Sequence, residues 1–258
     1  MERQSDPLTG RLSGFPWWLV AIVLILIWGA YFILTTADYR EAFDFIVQGI
    51  RITVETTVYS YAIALVIGLV MGLGRVSRNL IFRNFARFYV EVVRGIPILV
   101  LIFYVAFVAS VDAATALGLD ARSLSLQSRA VAALAVTYGA FLAEIFRAGI
   151  QSIGLGQMEA ARSLGMSYGQ AMRHIILPQA VRNVLPALGN DFVSMLKDSS
   201  LVSVLAVRDI TQVARLHAGS TFRFRESFTI LALLYLSMTL VLSSLLQWLE
   251  RRLHVGQK

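Results

Sequence analysis

Long apolar stretches separated by short polar segments dominate the pattern of this chain. Six of them are candidate membrane-spanning helices, because about 20 residues rising about 1.5 Å each cross roughly 30 Å of hydrocarbon. They cover approximately residues 15–34, 53–73, 88–109, 130–150, 184–207 and 228–249. The fifth is the weakest, since Asp191, Lys197 and Asp198 are costly at the centre of a bilayer. The pattern predicts an all-α membrane protein with six transmembrane helices.

Composition supports this reading. Hydrophobic residues make up 57% of the chain and charged residues 15%, with a mean hydropathy of +0.68. This leaves too little polar surface to enclose a soluble core, so lipid is the expected solvent. Placing both termini in the cytoplasm puts most of the Lys and Arg inside, although the arginines of segment 208–226 would be external. A cleaved signal peptide is the alternative interpretation of the first stretch, whose apolar run is longer than is usual for one.

Several function classes are excluded by what the chain contains. The net charge of +7 comes from short basic runs between apolar stretches and not from one cationic face, which argues against nucleic acid as a partner. The absence of cysteine removes disulfides, thiolate metal sites and cysteine nucleophiles. The three histidines are far apart and have no metal-ligand spacing, so no metal site is expected.

The second apolar stretch carries a Gly-x-x-x-Gly pattern at Gly68 and Gly72, with Gly74 close behind. Glycines at this spacing let helix backbones approach closely in lipid. We therefore expect a helix packing face at these positions. Such patterns are common in membrane helices, so this one does not by itself indicate a dimer contact.

The segment between the fourth and fifth stretches, residues 151–183, is neither apolar enough to cross a membrane nor polar enough to be disordered. GQMEAARSLG predicts a short helix that stops at Gly165, and Ser167 with Gln170 forms a capping box for a second helix. Pro178 is expected to end that second helix. A DNA-binding helix-turn-helix is the alternative, but the position between two membrane spans and Glu159 on the first helix favour docking to a protein.

Several blocks of the sequence resemble one family of membrane transporters. Glu159-Ala160-Ala161, Gly165 and the later ILP resemble the EAA loop of bacterial ABC importer permeases. GQMEAARSLGMS, ILPQAVRNVLPALGN, LKDSSLVSVL, YVEVVRGIPILVLIFY and YGAFLAEIFRAGIQSI look like its polar amino-acid (histidine/glutamine) branch. The resemblance implies an extra N-terminal helix and external loop in 15–50 and a five-helix permease core in 51–250. The ends, 1–14 and 251–258, would be cytoplasmic.

The resemblance also implies a role for the 151–183 loop. In such permeases it forms coupling helices that seat in a groove of the ATPase subunit. The residues that would carry the coupling are Gly156, Glu159, Ala160, Ala161, Leu164, Gly165, Met166 and Pro178. The small residues Ala160 and Ala161 would allow close docking, and Glu159 would pair with a basic partner residue. An interfacial loop with no partner is the alternative.

ATP is not expected to bind to this chain. No Gly-x-x-x-x-Gly-Lys-Ser/Thr motif is present, and neither Lys197 nor Lys258 follows a glycine-rich loop. We therefore expect a transport subunit that is not an enzyme and has no cofactor of its own. The resemblance implies ATP and magnesium on separate ATPase subunits. It further implies an extracytoplasmic solute-binding protein and a second permease copy or paralogue in the bacterial inner membrane.

Ionisable residues in or near the predicted spans are candidates for the substrate pathway, because an idle charge there is costly. The main candidate is Lys197, Asp198, Ser199 and Ser200. Adjacent helical residues point about 100° apart, so Lys197 and Asp198 need other partners, which a zwitterionic amino acid would supply. A network that only shapes the gate is the alternative. Further candidates are Glu55, Glu91, Arg94 and Glu144, and Glu91 with Arg94 can also form a structural ion pair.

These observations predict a permease subunit of an ATP-driven importer for polar L-amino acids of the glutamine, glutamate or basic type, working by alternating access. A permease of this type for another small solute is the first alternative. A secondary transporter or channel would use the same buried charges without needing the EAA loop. A membrane-embedded enzyme would need a better arrangement than a serine adjacent to Lys197.

Overall fold

The computed structural model describes residues 17–120 and 123–252, and every regular element within them is a helix. The α-helices are α1 Trp17–Thr35, α2 Ala37–Ile46, α3 Ile50–Val76, α4 Leu80–Gly95, α5 Ile98–Tyr104, α6 Ser110–Ala116, α7 Leu126–Gln151, α8 Leu155–Ser163, α9 Tyr168–Ala171, α10 Leu177–Asp198, α11 Ile210–Thr221 and α12 Phe224–Arg252. The predicted cytoplasmic segment 1–14, and residues 253–258 of the predicted tail, lie outside the described residues.

Among the described residues, four helical stretches are long and apolar enough to cross a membrane. They are Ala37–Val76, Ile98–Ala116, Leu126–Gln151 and Phe224–Arg252. A shorter apolar helix, Val20–Thr35, corresponds to the predicted first span. The predicted all-α membrane fold is therefore confirmed, and the predicted count of six spans is approximate.

The centre of the bundle is the contact between α3 and α7, which run side by side in the same direction. A Cβ atom added at Gly68 would lie 2.5 Å from the Cβ of Leu142, and one added at Gly72 would lie 2.7 Å from the Cβ of Phe146. On the α7 side of the contact, a Cβ added at Gly139 would lie 2.6 Å from the Cγ2 of Ile67 on α3. The predicted packing face is thus confirmed, because only glycine permits this approach of the two backbones.

The predicted third span, 88–109, is wrong in its bounds. The chain breaks at Ile96, which has extended backbone angles of φ −101° and ψ 135°, and α4 is an amphipathic helix of its own. Pro97 causes the break, since a proline disfavours helical angles in the residue before it. The apolar span resumes at α5 and continues through a π segment, Val105–Ala109, into α6.

The predicted fifth span, 184–207, also differs from the observed helix. α10 begins earlier, at Leu177, and ends at Asp198. The chain then forms a 3-10 helix, Ser199–Leu205, which stops at Ala206 with a left-handed φ of 58°. Hydropathy misplaces this boundary because the sequence LVSVL remains apolar beyond the last α-helical residue.

Pro178 does not end the second loop helix, so the predicted stop there is wrong. α9 passes through a π segment, Met172–Ile176, directly into α10, with Pro178 in the first turn of α10. A proline is tolerated in a first turn, and the wider π turn before it relieves the clash with the preceding carbonyl. The second loop helix and the predicted fifth span therefore form one continuous helical path.

The N-terminal helices pack on the last two helices of the chain. Their shared apolar cluster contains the buried residues Tyr39, Ala42, Ile46, Ile210, Ala214 and Ile230. At the edge of this cluster Arg223 pairs with Asp38 at 3.0 Å and with Glu41. These contacts join α2 to the beginning of α12.

Candidate functional site

A helical elbow, residues 155–176, follows the end of α7. Gly165 lies between its two arms with φ +85°, in the left-handed region that residues with a Cβ rarely adopt. Its N–H donates to the carbonyl of Arg162 at 3.0 Å, and the N–H of Met166 donates to the carbonyl of Ala161 at 3.1 Å. These two hydrogen bonds close the end of α8, so the predicted stop at Gly165 is confirmed.

A capping box begins the second arm of the elbow. The N–H of Ser167 donates to Oε1 of Gln170 at 2.8 Å, and the N–H of Gln170 donates to Oγ of Ser167 at 3.3 Å. Both backbone donors are thereby satisfied locally, as the sequence predicts. The angle of the elbow therefore follows from its own residues.

Apolar side chains join the elbow to the ends of the long helices. The buried members of this cluster are Ile150, Ile176 and Ala180, and the partly buried ones are Leu73, Val76, Ile153, Met158, Met172, Ile175 and Leu177. They come from the ends of α3 and α7 as well as from both arms of the elbow and α10. The elbow is therefore packed directly against the ends of the central helix pair.

The predicted coupling residues divide into an exposed set and a packed set. The exposed ones are Gly156, Glu159, Ala160, Leu164, Gly165 and Pro178. The side chain of Leu164 is 84% exposed, which is unusual for a leucine and leaves an apolar side chain on the surface at the end of α8. Ala161 is only 3% exposed and Met166 is half-buried, so of the two small residues only Ala160 faces outward.

Glu144 was a pathway candidate, but the structure pairs it with two arginines. One carboxylate oxygen lies 2.9 Å from Nη2 of Arg75, and the other accepts a hydrogen bond from Nε of Arg147 at 2.7 Å. The side chains of Arg75 and Glu144 are 14% and 19% exposed, so this pair is largely removed from water. The carboxylate is therefore committed to joining the ends of α3 and α7.

The other outlying charges are also satisfied in ways that the sequence did not indicate. Glu55 pairs with Arg51 at 2.7 Å on the same helix. Glu91 lies 4.0 Å from Arg75, while the guanidinium of Arg94 lies over the ring of Phe141 at 5.7 Å. The alternative of a Glu91–Arg94 ion pair is thus wrong, because each side chain turns toward a different helix.

The Lys197 to Ser200 block presents its charges in two directions. Asp198 accepts a hydrogen bond from the hydroxyl of Tyr138 on α7 at 2.7 Å, whereas Lys197 is exposed on the surface of the chain. Ser199 is buried and donates to the carbonyl of Leu196 at 2.7 Å, and Ser200 is half-buried. Among the described residues no ion pair joins Lys197 to Asp198, as their 100° separation on the helix requires.

Two tyrosines near this block were missed from the sequence. Tyr138 holds Asp198, and the hydroxyl of Tyr61 donates to the carbonyl of Leu188 at 2.6 Å. Asp191 lies about two helical turns before Asp198 on α10. Its Oδ2 is buried without a hydrogen bond. The available signal was the rule that a tyrosine buried in a span needs a partner for its hydroxyl.

A buried acid also lies outside the spans. Asp209 caps α11, where its Oδ1 accepts the N–H of Gln212 at 2.9 Å, and its Oδ2 has no hydrogen-bond partner. Burial raises the pKa of Asp209 to about 6. Nearby, Oγ1 of Thr53 accepts the N–H of Ile210 at 3.1 Å, which fixes α11 to the beginning of α3.

The predicted substrate pathway can be tested at Tyr138, where replacement with phenylalanine should reduce uptake without unfolding the protein. The change deletes the only hydroxyl that donates to Asp198 among the described residues, so the carboxylate loses its fixed position beside Lys197. We expect the maximal uptake rate to fall roughly tenfold, in line with the loss of one hydrogen bond to a charged group. Tyr89→Phe is the matched control, because Tyr89 donates to the carbonyl of Val136 and not to a charge. Equal losses in both variants would contradict a specific role for Tyr138.

The fold is that of an ABC importer permease. It matches a solved structure of an amino acid ABC transporter with histidines, with a TM-score of 0.72 and 38% sequence identity. The similarity covers 85% of this chain and 97% of that one.

The chain belongs to the family of binding-protein-dependent transport system inner membrane components, whose profile matches residues 64–255. It is 38% identical over 215 residues to the probable glutamine ABC transporter permease protein GlnM of Bacillus subtilis, covering 83% of this chain and 95% of that one. It is 34% identical over 214 residues to the glutamine transport system permease protein GlnP of Escherichia coli K12, with the same coverage.

Proposed function

We propose that this chain is the membrane-embedded subunit of an ABC importer that takes up polar L-amino acids, working with an ATPase that is a separate polypeptide. The observation that carries the proposal is the preformed elbow, which exposes Glu159, Ala160 and Leu164 on an apolar base. Support comes from two relatives named as glutamine permeases, each matched over 95% of its length. Glutamine is therefore the first substrate to test.

The elbow supplies both parts of a docking surface. Leu164 offers an exposed apolar contact, and Glu159 on the same arm of the elbow offers an exposed carboxylate for a basic residue of the ATPase. Nucleotide-driven closure of two ATPase copies would bring two elbows together, and the apolar cluster would pass that movement to α3 and α7. ATP and magnesium would remain on the ATPase subunits.

The substrate would pass between two permease copies. Lys197 lies on the surface of this chain, where it would face a second copy or a paralogue, and the half-buried Asp198 follows it on α10. A lysine ammonium suits the carboxylate of an amino acid, and a carboxylate suits its ammonium. A solute-binding protein outside the bacterial inner membrane would deliver the substrate to the opposite end from the elbow.

The test is uptake of labelled glutamine, glutamate and arginine into vesicles that contain the permease with its cognate ATPase and binding protein. We expect uptake of at least one of them to require ATP hydrolysis and the binding protein. Glu159→Lys should abolish stimulated ATP hydrolysis, because it would place a like charge against the basic residue of the ATPase that Glu159 is proposed to contact. The variant chain should still insert into the membrane.

Gln157→Lys is the control, since it adds a lysine at an exposed position two residues before Glu159, on the other side of α8. This variant should retain normal hydrolysis and uptake. Uptake at full rate in vesicles without the ATPase would indicate a secondary transporter and overturn the proposal. Normal stimulated hydrolysis by Glu159→Lys would remove the elbow from the coupling mechanism.

A further inference from the structure

A cavity lies between the elbow and the turn that joins α3 to α4. Its volume is 720 Å³, and three arginines line it, namely Arg75, Arg78 and Arg83. The elbow contributes Met158, Tyr168 and Met172 to its wall. None of the described residues that line the cavity is acidic, and because Arg75 is paired with Glu144 the positive charge of the cavity comes from Arg78 and Arg83.

The guanidinium groups of this cavity have unused hydrogen-bonding capacity. Nη1 of Arg75 is buried and forms no hydrogen bond, although it lies 4.0 Å from the carboxylate of Glu91 and Nη2 is paired with Glu144. Arg78 lies over the ring of Tyr168 at 4.5 Å, which positions it without neutralising it. Arg83 is exposed and forms no ion pair with any described residue. Clustered arginine donors of this kind suit a phosphate oxyanion.

The helix that begins at this cavity offers a second surface, suited to a lipid chain. The side chains of Ile81, Phe85, Phe88 and Val92 repeat along one face of α4 and are 82%, 56%, 67% and 42% exposed. The opposite face, with Ala86, Val90 and Val93, is buried in the bundle. An apolar stripe that starts beside a basic cavity matches a molecule with a phosphate head and acyl chains, and a free phosphate would leave the stripe unused.

We propose that this cavity binds the headgroup of an anionic phospholipid from the inner leaflet, with its acyl chains along the exposed stripe of α4. The headgroup would touch Met158, Tyr168 and Met172 of the elbow, so its presence would hold the elbow against the turn between α3 and α4. Lipid binding rests only on the cavity and the stripe. The effect of the lipid on coupling rests also on the proposed function.

Binding is tested by native mass spectrometry of the full-length chain in its transporter complex, with phosphatidylglycerol and phosphatidylcholine offered together. We expect phosphatidylglycerol to be retained in preference. Arg83→Gln should weaken that retention roughly fivefold, and the double variant Arg78→Gln/Arg83→Gln by more than roughly tenfold, since each arginine near a charged lipid surface contributes a similar amount. Arg83→Lys should preserve most of the binding because it keeps the charge.

Arg87→Gln is the matched control, because Arg87 is an exposed arginine one turn further along α4 that does not line the cavity. It should retain phosphatidylglycerol normally. Equal loss in Arg83→Gln and Arg87→Gln would overturn the proposal by showing general surface attraction. Displacement of the lipid by inorganic phosphate would also overturn the proposal, because the cavity would then be a binding site for a free anion.

The effect of the lipid on coupling is tested by comparing the ATP hydrolysis of the complex in membranes of phosphatidylglycerol and of phosphatidylcholine. Hydrolysis that falls severalfold in phosphatidylcholine, and that loses this dependence in the double variant, would support control of the elbow by the lipid. Selective lipid retention with no such dependence would overturn that control but leave the binding site in place. A complex that hydrolyses no ATP in either membrane would count against the proposed function and not against the site.

Discussion

Gly165→Val should abolish stimulated ATP hydrolysis by the assembled transporter while leaving the chain in the membrane. Gly165 has φ +85°, and no heavy atom lies within 4 Å of a Cβ built on it, so the effect is conformational and not steric crowding. A left-handed residue with a Cβ costs about 1–2 kcal/mol, and a β-branched one costs more. The elbow would then open to a different angle, and we expect hydrolysis to fall by roughly tenfold or more.

Gly169→Ala is the control for this prediction. Gly169 lies in the second arm with open space around it and without a left-handed backbone, so an added methyl group is tolerated. Gly165→Ala should fall between the two, because alanine enters the left-handed region at a smaller cost than valine. Full hydrolysis by the valine variant in a purified complex would mean that the angle of the elbow does not matter for coupling.

Gly68→Ala should destabilise the folded chain, although alanine is the smallest possible addition. The new Cβ would lie 2.5 Å from the Cβ of Leu142 and 3.2 Å from the backbone N of Ala143, and the backbone cannot move aside. Overpacking of this kind costs about 1–3 kcal/mol. We expect a lower midpoint of thermal unfolding in detergent and a lower yield of membrane-inserted protein.

Gly219→Ala is the control for this prediction, because the same substitution should not destabilise the chain at this position. Gly219 lies in α11 with nothing within 4 Å of a built Cβ. Alanine there removes the flexibility of a helical glycine, so the unfolding midpoint should stay unchanged or rise slightly. Similar midpoints for Gly68→Ala and Gly219→Ala would show that α3 and α7 can separate without cost.

The features that the sequence predicted correctly are those determined within a few residues. The stop at Gly165 and the capping box of Ser167 depend on neighbouring backbone groups only. The packing face of α3 was also predictable, because the spacing of Gly68 and Gly72 places both on one side of a helix.

The features that the sequence could not indicate depend on distant partners. Tyr138 and Asp198 are 60 positions apart, and Glu144 meets Arg75 only because α3 and α7 lie together. The two prolines differ in this respect. Pro97 ends α4 by a local rule that the predicted span 88–109 did not apply, whereas Pro178 is accommodated by a π segment that no local rule required.

The first two helices are structural parts of the bundle and not an appendage to it. A Cβ added at Gly29 would contact the side chain of Leu233 on α12. Arg223 forms ion pairs with Asp38 and Glu41 of α2. Shortening the chain to begin at α3 would expose Ile210, Ala214 and Ile230, which pack against α2. An affinity tag or fusion is therefore better placed beyond Arg252 than in exchange for these two helices, because the apolar cluster then stays covered.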